Sequence, residues 1–481
     1  MAASTIVLEF NELVPHLMDR FIAEGVLPGF ARLRRESMVF KTDAEEQPPA
    51  LEPWIQWVTL HTGKSYAEHG VFELSDGPLY KGDRIWDLVS DAGESVWICG
   101  SMNSAVRGGK IKGLVLPDPW AVGVDPYPRG LFEDYFNFVS TYVKEYAAET
   151  VPLTLGDRLR FIRFMLTHGL SLRTIKATLL QLATEGRRDR KWARAFILDN
   201  MQFDLFQYFY RKTKPKFSTI FLNSTAHFQH FYWRNMEPAL FDIKPAPEDQ
   251  ARYQDAIRSG YVEMDKFVRM TLDMADPEAT IVFATALSQQ ALLKHDADGG
   301  KILFKPHDND RLIRMAGITT NPRQDQVMSN QFYLVFDNEA QAQDAAARLS
   351  SLRTSTGEMA IDVRPIGAKL SVVCNIYQIP DASVTVSSPH CNEVFAFSEL
   401  FYPIHGMRSG YHHPDGMFWV RTPERRHAEV ARTLSLREIA PTLMALSGLT
   451  APKGAFDCPI IPELAKGPAP AKAVEPQLAT A

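Results

Sequence analysis

Two short segments of the chain concentrate imidazole side chains. His227 and His230 lie three residues apart in STAHFQH, and His412 and His413 precede Asp415 in SGYHHPDG. A spacing of three places two side chains on one face of a helical turn, where they can share a metal ion or join a hydrogen-bond network with the carboxylate. The structural alternative is a pair of core histidines whose ring nitrogens are satisfied.

Two glutamates add carboxylate chemistry. Glu52 precedes a predicted helix at 54–61, and Glu9 lies in the predicted first strand. With an imidazole, Glu52 can form an acid–base or nucleophile pair, and with Asp415 it would suit glycosyl chemistry. Two structural interpretations stay open, because a helix dipole alone favours a carboxylate at Glu52 and Glu9 can be a core residue with a buried partner.

The elements that must position these residues alternate between strand and helix patterns. The predicted strands cover residues 5–10, 37–40, 95–99, 218–222, 280–284 and 417–420. Helical periodicity follows the first strand from Val14, and a final helix at about 435–447 ends at Gly448. This alternation predicts an α/β fold with a largely parallel central sheet covered by helices.

Two regions interrupt the alternation. Residues 131–214 are helical and rich in arginine, which predicts an amphipathic insertion with a solvated basic face. The alternative is a cap that attracts an anionic substrate, a partner or a membrane surface. Residues 330–380 follow the order strand, helix, strand, strand, which predicts a small α+β insertion. The predicted core is 1–130, 215–325 and 385–455, and the Pro/Ala-rich segment 462–481 is predicted to be a disordered tail.

Composition is that of an ordinary globular protein. The 481 residues are 45% hydrophobic and carry a formal net charge of −5, which argues against a surface built to bind nucleic acid. Four scattered cysteines indicate neither a disulfide framework nor a thiolate zinc site. Because no apolar run approaches the roughly 20 residues of a spanning helix, and no signal pattern opens the chain, we predict a cytoplasmic protein without a transmembrane segment.

Four segments, in order, resemble the type I phosphodiesterase and nucleotide pyrophosphatase branch of the alkaline phosphatase superfamily. IVLEFNEL with LPGFARL is similar to the opening metal-binding strand and its helix, and LEPWIQWVTLHTGKSYAEHGVFEL to the helix that bears the nucleophile. FLNSTAHFQHFYW is similar to a strand and loop with the ligand pattern D-x-x-x-H. SGYHHPDGMFWV is similar to a late H-x-P-D-G loop, which an I-A-P-T-L helix follows. The resemblance implies an alkaline-phosphatase-like sandwich.

The resemblance also implies two divalent metals, held by carboxylate and imidazole ligands, that neutralise the negative charge of an ester and lower the pKa of an attacking hydroxyl. Most of these ligands and the hydroxyl are replaced here. The opening Asp falls on Asn11, which adjoins Glu12, and the Asp of D-x-x-x-H falls on Ala226. An Asp-His pair falls on Thr285-Ala286-Leu287, and the nucleophile falls on Glu52 or Pro53. His230 and His413 remain as ligands, so the resemblance implies a metal-poor site.

We therefore predict a divergent hydrolase or transferase that acts on a phosphate ester, a sulfate ester or a glycosyl substrate. The alternative is an inactive protein that binds an anionic or sugar ligand or a protein partner. The predicted catalytic residues are Glu52, His227, His230, His413 and Asp415, and the predicted substrate-binding residues are Glu9, Asn11, Gln56, Arg408, Ser409 and His412. No cofactor is predicted. The alternative is a single divalent metal on His230, His413 and a carboxylate such as Glu9 or Asp415. The expected substrate is a small or glycan-type anion, with no nucleic-acid partner.

Overall fold

An eight-stranded sheet forms the centre of the computed structural model, which describes residues 4–145, 153–326 and 330–465. Asp415–Arg421 runs antiparallel to both of its neighbours, and the other strands all run in one direction. The order across the sheet is Ala428–Ser435, Met38–Asp43, Asp415–Arg421, Thr280–Ala284, Thr5–Phe10, Phe217–Leu222, Val96–Cys99 and Gly113–Leu116. The α/β class and the largely parallel sheet predicted from the sequence are confirmed.

The first strand of the chain supplies two separate cores. Ile6, Leu8 and Phe10 enter the apolar cluster on one face of the sheet. Val7 enters the cluster on the other face, because strand side chains alternate. All six residues of this strand are buried, as expected for a central strand covered on both faces. Glu9 alternates with Leu8 and therefore lies on the face of Val7.

Helices cover both faces of the central sheet. The helix Pro53–Thr62 starts with a proline in its first turn and ends at Gly63, whose φ of 66° is left-handed. The remaining helices of the core are Pro15–Ala23, Pro28–Arg35, Tyr66–His69, Ile85–Asp91, Ser224–Met236, Pro247–Tyr253, Ala256–Met274, Ile439–Leu446 and Pro462–Ala465. Among the described residues, no helix combines the length and the apolar composition needed to cross a bilayer.

The arginine-rich region is helical where the structure describes it. Its helices are Glu133–Glu145, Leu155–Thr167, Leu172–Arg188 and Ala195–Thr213. Phe161 and Phe164 are buried against the first of these helices, with the rings of Phe138 and Phe161 4.0 Å apart. Residues 146–152 of the predicted insertion, and 466–481 of the predicted tail, lie outside the described residues.

The second insertion is longer than the sequence indicated. It contains a four-stranded sheet with the strand order Ile361–Ile366, Lys369–Cys374, Phe332–Val335 and Arg323–Gln326. It also contains a three-stranded sheet with the strand order Arg353–Thr354, Thr385–Ser388 and Cys391–Ala396. Its helices are Asn309–Met315, Glu339–Leu349 and Phe397–Leu400. Residues 385–396, predicted as part of the core, supply two strands of the three-stranded sheet, and the first of them pairs with Arg353–Thr354. The apolar cluster of this insertion extends from Phe304 to Phe401.

Two short antiparallel ladders join the insertion to the central sheet. Lys301–Pro306 pairs with Phe401–Arg408, and Ser288–Ala291 pairs with Gly410–His413. Both of the later strands contact the helix Ser224–Met236. These ladders carry residues 408–413 to the edge where the parallel strands end, which is the edge at which α/β sheets bind ligands.

Candidate functional site

Three ionisable side chains converge at the carboxyl end of the first strand. Nε2 of His230 lies 3.3 Å from Oε2 of Glu12, and Nε2 of His412 lies 3.5 Å from the same oxygen. One donor atom from each residue falls within 4.8 Å of the other two, and this is the group among the described residues that could hold a metal ion. We call Glu12, His230 and His412 the Glu-His-His cluster.

The backbone and two glutamines hold Glu12 in place. Its φ of 58° is left-handed, a conformation that is uncommon for residues other than glycine and is found often at functional sites. Gln289 donates to Oε2, and Asn11 donates to Oε1 at 2.7 Å. The Gln229 side chain donates to the Glu12 carbonyl oxygen at 2.7 Å. Glu12 is therefore fixed with one carboxylate oxygen facing both imidazoles.

Strand register decides which histidine joins the cluster. His412 pairs with Gln289 across the ladder, and His413 pairs with Ser288. Because side chains alternate along a strand, His412 and Gln289 lie on one side and meet Glu12. His413 lies on the other side, where Nδ1 is 2.7 Å from Oδ1 of Asp415 and Ser288 also donates to that carboxylate.

Both imidazoles of the cluster are neutral at pH 7. Burial lowers the pKa of His412 to about 4, reinforced by His230 and Arg408 and opposed by Glu12. Burial also holds the pKa of His230 well below its usual range, with a further contribution from the Arg408 guanidinium. The neutral imidazole is the form that binds a metal ion.

Either ring nitrogen of His230, Nδ1 or Nε2, can carry the proton of the neutral imidazole, and each choice agrees with one neighbour of Nδ1. Arg408 lies 2.9 Å from Nδ1 and can only donate, which leaves the ring proton on Nε2, facing Glu12. The Gly410 carbonyl lies 3.2 Å from the same Nδ1 and can only accept. A ring that donates from Nδ1 to this carbonyl presents the lone pair of Nε2 to Glu12, which is the arrangement of metal-binding histidines.

Glu52 borders the cluster at the start of the helix Pro53–Thr62. Oε2 lies 3.4 Å from Nδ1 of His412, and 29% of the Glu52 side chain is exposed. Burial and the Glu12 carboxylate raise the pKa of Glu52 to about 8, opposed by Arg408 and Lys301. The raised pKa favours the protonated carboxyl group near neutral pH, the form that can donate a proton to a molecule in the opening.

Two cations lie beside Glu52. Arg408 and Lys301 are cross-strand partners in the ladder between Lys301–Pro306 and Phe401–Arg408. Burial lowers the pKa of Arg408 to about 10, opposed by Glu12 and Glu52, so the guanidinium stays charged. The site therefore combines a proton donor with fixed positive charge, which can bind an anion.

Other predicted site residues take part in internal hydrogen bonds. Asn11 uses both ends of its amide, accepting from Trp57 at 2.8 Å and donating to Asn223 at 2.8 Å. Gln56 is buried and donates to the Ala50 carbonyl oxygen. Ser409 accepts from the Trp233 backbone at 3.0 Å.

Glu9 lies on the face of the central sheet that also carries Val7. Its Oε1 is 2.7 Å from Nε2 of His61, and its Oε2 accepts from Ser101 at 2.6 Å. Its side chain has no exposed surface. Glu9 is thus placed as a core residue with buried partners, the structural interpretation left open by the sequence.

Three predicted catalytic residues, His227, His413 and Asp415, lie away from the Glu-His-His cluster and from Glu52. His227 is one helical turn from His230, and its ring lies 5.0 Å from the ring of Phe231. His413 and Asp415 contact each other, with 40% and 47% of their side chains exposed. The structure therefore brings together Glu52, His230, Arg408 and His412 from the predicted set.

Glu12 was not among the candidate ligands predicted from the sequence, and His413 was named as the late imidazole, whereas His412 is the histidine that lies beside Glu12. The signal for His412 was present, because the pattern H-x-P-D-G, counted back from Pro414, puts its imidazole at His412. No pattern pointed to Glu12. Its orientation depends on the left-handed backbone and on the contact with Gln289.

The described residues do not fit a two-metal site but fit a single cation. Ala226 and Ala286 offer no donor atom where the second set of ligands would lie, and Asn11 already uses its amide oxygen. For one tetrahedral zinc ion, ligand atoms at about 2.0–2.2 Å from the metal lie roughly 3.3–3.5 Å from one another. The separations of Glu12 from His230 and His412, 3.3 and 3.5 Å, match that spacing.

Comparisons with known proteins give one family match and several similarities to solved structures. A family model described as type I phosphodiesterase / nucleotide pyrophosphatase matches residues 5–288.

Phosphonoacetate hydrolase from Sinorhizobium meliloti 1021, in complex with phosphonoacetate, is 12% identical with a TM-score of 0.39, and the match covers 93% of this chain and 96% of that one. Human ectonucleotide pyrophosphatase / phosphodiesterase 5 is 8% identical with a TM-score of 0.36, over 93% and 96%. Wild-type alkaline phosphatase PafA is 11% identical with a TM-score of 0.44, over 95% and 98%. No curated protein matches the sequence.

Proposed function

The chain belongs to the type I phosphodiesterase / nucleotide pyrophosphatase family, and from this membership we propose that it hydrolyses an anionic phosphate or sulfate ester at a single-cation site. The observation that carries the proposal is the convergence of Glu12, His230 and His412 from three distant segments. Glu12 and His412 are buried and the His230 side chain is 13% exposed, and the Glu12 oxygen lies from both imidazoles at the spacing of metal ligands.

A single divalent cation suits this donor set. Glu12 would offer one carboxylate oxygen, and His230 and His412 would each offer Nε2. The Gly410 carbonyl would then accept the Nδ1 proton of His230, and the Arg408 guanidinium would turn from Nδ1 to the bound anion. A cation held there would supply Lewis-acid stabilisation of negative charge on the ester.

Glu52 is proposed to transfer the proton in this reaction. The resemblance implies that the family's hydroxyl nucleophile falls at Glu52 or Pro53, and Glu52 lies 3.4 Å from His412 with 29% of its side chain exposed. A carboxylate there can activate a water molecule, and a protonated carboxyl group can donate to the leaving oxygen. Direct attack by Glu52 is the remaining option in the same position.

Arg408 and Lys301 are proposed to bind the substrate's negative charge. They occupy neighbouring strands beside Glu52, and the Arg408 guanidinium also stacks over the ring of Phe231 at 5.2 Å. Fixed cations in a partly buried site attract phosphate and sulfate groups more strongly than cations in open water. This arrangement favours a charged ester over an uncharged glycoside.

The second candidate function is a binding protein without turnover. It is favoured by one observation: neither Glu52 nor Pro53 offers a hydroxyl where the family places its nucleophile. In that case the cations beside Glu52 would hold an anionic ligand that is never cleaved.

The test is a turnover assay on protein purified without chelator, against monoesters and diesters of phosphate and against sulfate esters. We expect hydrolysis of at least one class, and a loss of at least about a hundredfold in His412→Ala because a ligand is removed. His413→Ala is the matched control and should keep wild-type activity. If the wild-type protein binds such esters by calorimetry but cleaves none, the binding protein is the correct account.

A further inference from the structure

The helices Leu155–Thr167 and Leu172–Arg188 expose an unusual amount of apolar surface. Each helix has side chains buried against the rest of the molecule, so the exposure is on an outward face. The exposed large hydrophobic residues of this helix pair, with their exposed fractions, are Leu155 72%, Leu159 58%, Ile162 49%, Leu166 61%, Leu172 84%, Leu179 63%, Leu180 55% and Leu182 48%. We call these eight side chains the leucine face.

The residues of the first helix form an ordered row. Leu155, Leu159, Ile162 and Leu166 follow the spacing four, three, four, which places them on one stripe of a helix with 3.6 residues per turn. The opposite side of this helix is already packed, with Phe161, Phe164 and Met165 buried. The helix is therefore apolar on two sides, and only one of them is covered by the described residues.

Arginines border this row on both sides. At helical spacing Arg158 falls beside one edge of the row and Arg163 beside the other, and both side chains are exposed. Neither forms a salt bridge with the described residues. Long basic side chains in this position can extend to a charged layer while their neighbours enter an apolar one.

The whole helix pair is basic although the protein is acidic. Residues 153–194 contain ten Arg or Lys and three Asp or Glu, whereas the complete chain has a formal net charge of −5. The positive charge is thus concentrated on the segment that carries the leucine face. A surface that combines exposed leucine with flanking arginine matches the boundary of a bilayer with anionic headgroups.

We propose that the leucine face docks the protein onto anionic lipid membranes, with the two helices lying in the plane of the bilayer surface. Charge complementarity selects this occupant. A second copy of the chain would bring the same basic surface against itself in a two-fold contact, with like charges opposed. A nucleic acid would satisfy the arginines but leave the leucines in water.

The test is flotation of the full-length protein with vesicles of phosphatidylcholine alone or of phosphatidylcholine with phosphatidylserine. We expect binding to the vesicles that contain phosphatidylserine, and weaker binding when the salt concentration is raised. The double variant Leu159→Ser with Leu166→Ser should lose at least about tenfold in binding, because two side chains no longer enter the apolar boundary. Arg158→Gln with Arg163→Gln should reduce the preference for the anionic lipid.

The matched control replaces exposed leucines elsewhere on the surface. Leu79 and Leu240 are 65% and 52% exposed and lie outside the helix pair, so Leu79→Ser with Leu240→Ser should float like the wild type. The proposal is overturned if the wild-type protein does not float with anionic vesicles, or if both leucine variants bind equally. Self-association that only the helix-pair variant abolishes, without vesicle binding, would assign the leucine face to a second copy. Capture of an acidic protein by the leucine face, without vesicle binding, would overturn it in favour of a protein partner.

Discussion

Oε2 of Glu12 lies 3.5 Å from Nε2 of His412, although the two residues come from opposite ends of the chain. The first strand delivers Glu12 to the ligand-binding edge of the sheet, and a late antiparallel ladder delivers His412. Neither segment alone holds a site. The cluster exists only when the first strand, the helix Ser224–Met236 and this ladder are assembled together, so its chemistry is a property of the complete fold.

Replacing Glu52 by glutamine tests its proposed role as the proton-transferring group. Glu52→Gln keeps the shape of the side chain and removes its proton chemistry, so we expect kcat to fall by about 10²–10⁴-fold with little change in metal content. Steady-state kinetics and elemental analysis of the same preparation measure both quantities.

Glu393→Gln is the control for this substitution, because Glu393 is exposed in the inserted region. It should retain wild-type kcat. If Glu52→Gln also turns over at the wild-type rate, another group performs the proton transfer.

Glu9 is expected to stabilise the folded protein. Its carboxylate is fully buried between His61 and Ser101. Glu9→Ala removes the partner of His61 Nε2 and leaves Ser101 with Thr219 alone, and a buried polar group left unsatisfied costs about 1–3 kcal/mol in the free energy of unfolding. Urea denaturation measures this loss, with the exposed Glu278→Ala as control. A variant of unchanged stability and lost turnover would instead assign Glu9 to the substrate.

Lys305 gives the protein a pH-dependent stability. Its side chain is 2% exposed, its Nζ has no hydrogen-bond partner among the described residues, and burial lowers its pKa to about 7. In the unfolded chain the pKa is about 10.4, so between these values the unfolded state holds the additional proton. Stability attributable to Lys305 therefore rises with pH across that window and is lowest below pH 7.

Lys305→Met should consequently unfold at higher urea than the wild type at pH 7. Its advantage should shrink towards pH 9 by up to about 1.4 kcal/mol per pH unit, because the wild-type lysine is then already neutral when folded. The exposed Lys110→Met should show no such trend. An advantage that is the same at both pH values would show that Lys305 does not titrate in this range.

The central strands were predictable because their sequences are apolar on both faces. TIVLEF and TIVFA are buried along their whole length, and such short, mainly apolar segments are typical of central strands that helices cover on both faces. The two edge strands escaped prediction for physical reasons. Ala428–Ser435 is largely exposed and polar, and Gly113–Leu116 has only four residues.

The site was predictable only in part. The family patterns located His230 and Glu52 from sequence, since they identify loops that follow particular strands and helices. They did not give side-chain direction. The spacing of H-x-P-D-G did indicate His412, and the ladder explains this choice, because pairing with Gln289 turns His412 to Glu12 and pairing with Ser288 turns His413 away.

Metal stoichiometry tests the central claim most directly. Protein purified without chelator, loaded with zinc and dialysed, should hold a single ion per chain by elemental analysis. His412→Ala should lose that ion because one of the three ligands is gone, and His413→Ala should keep it because His413 faces Asp415. Two ions per chain, no ion in the wild type, or loss in His413→Ala with retention in His412→Ala would contradict the account.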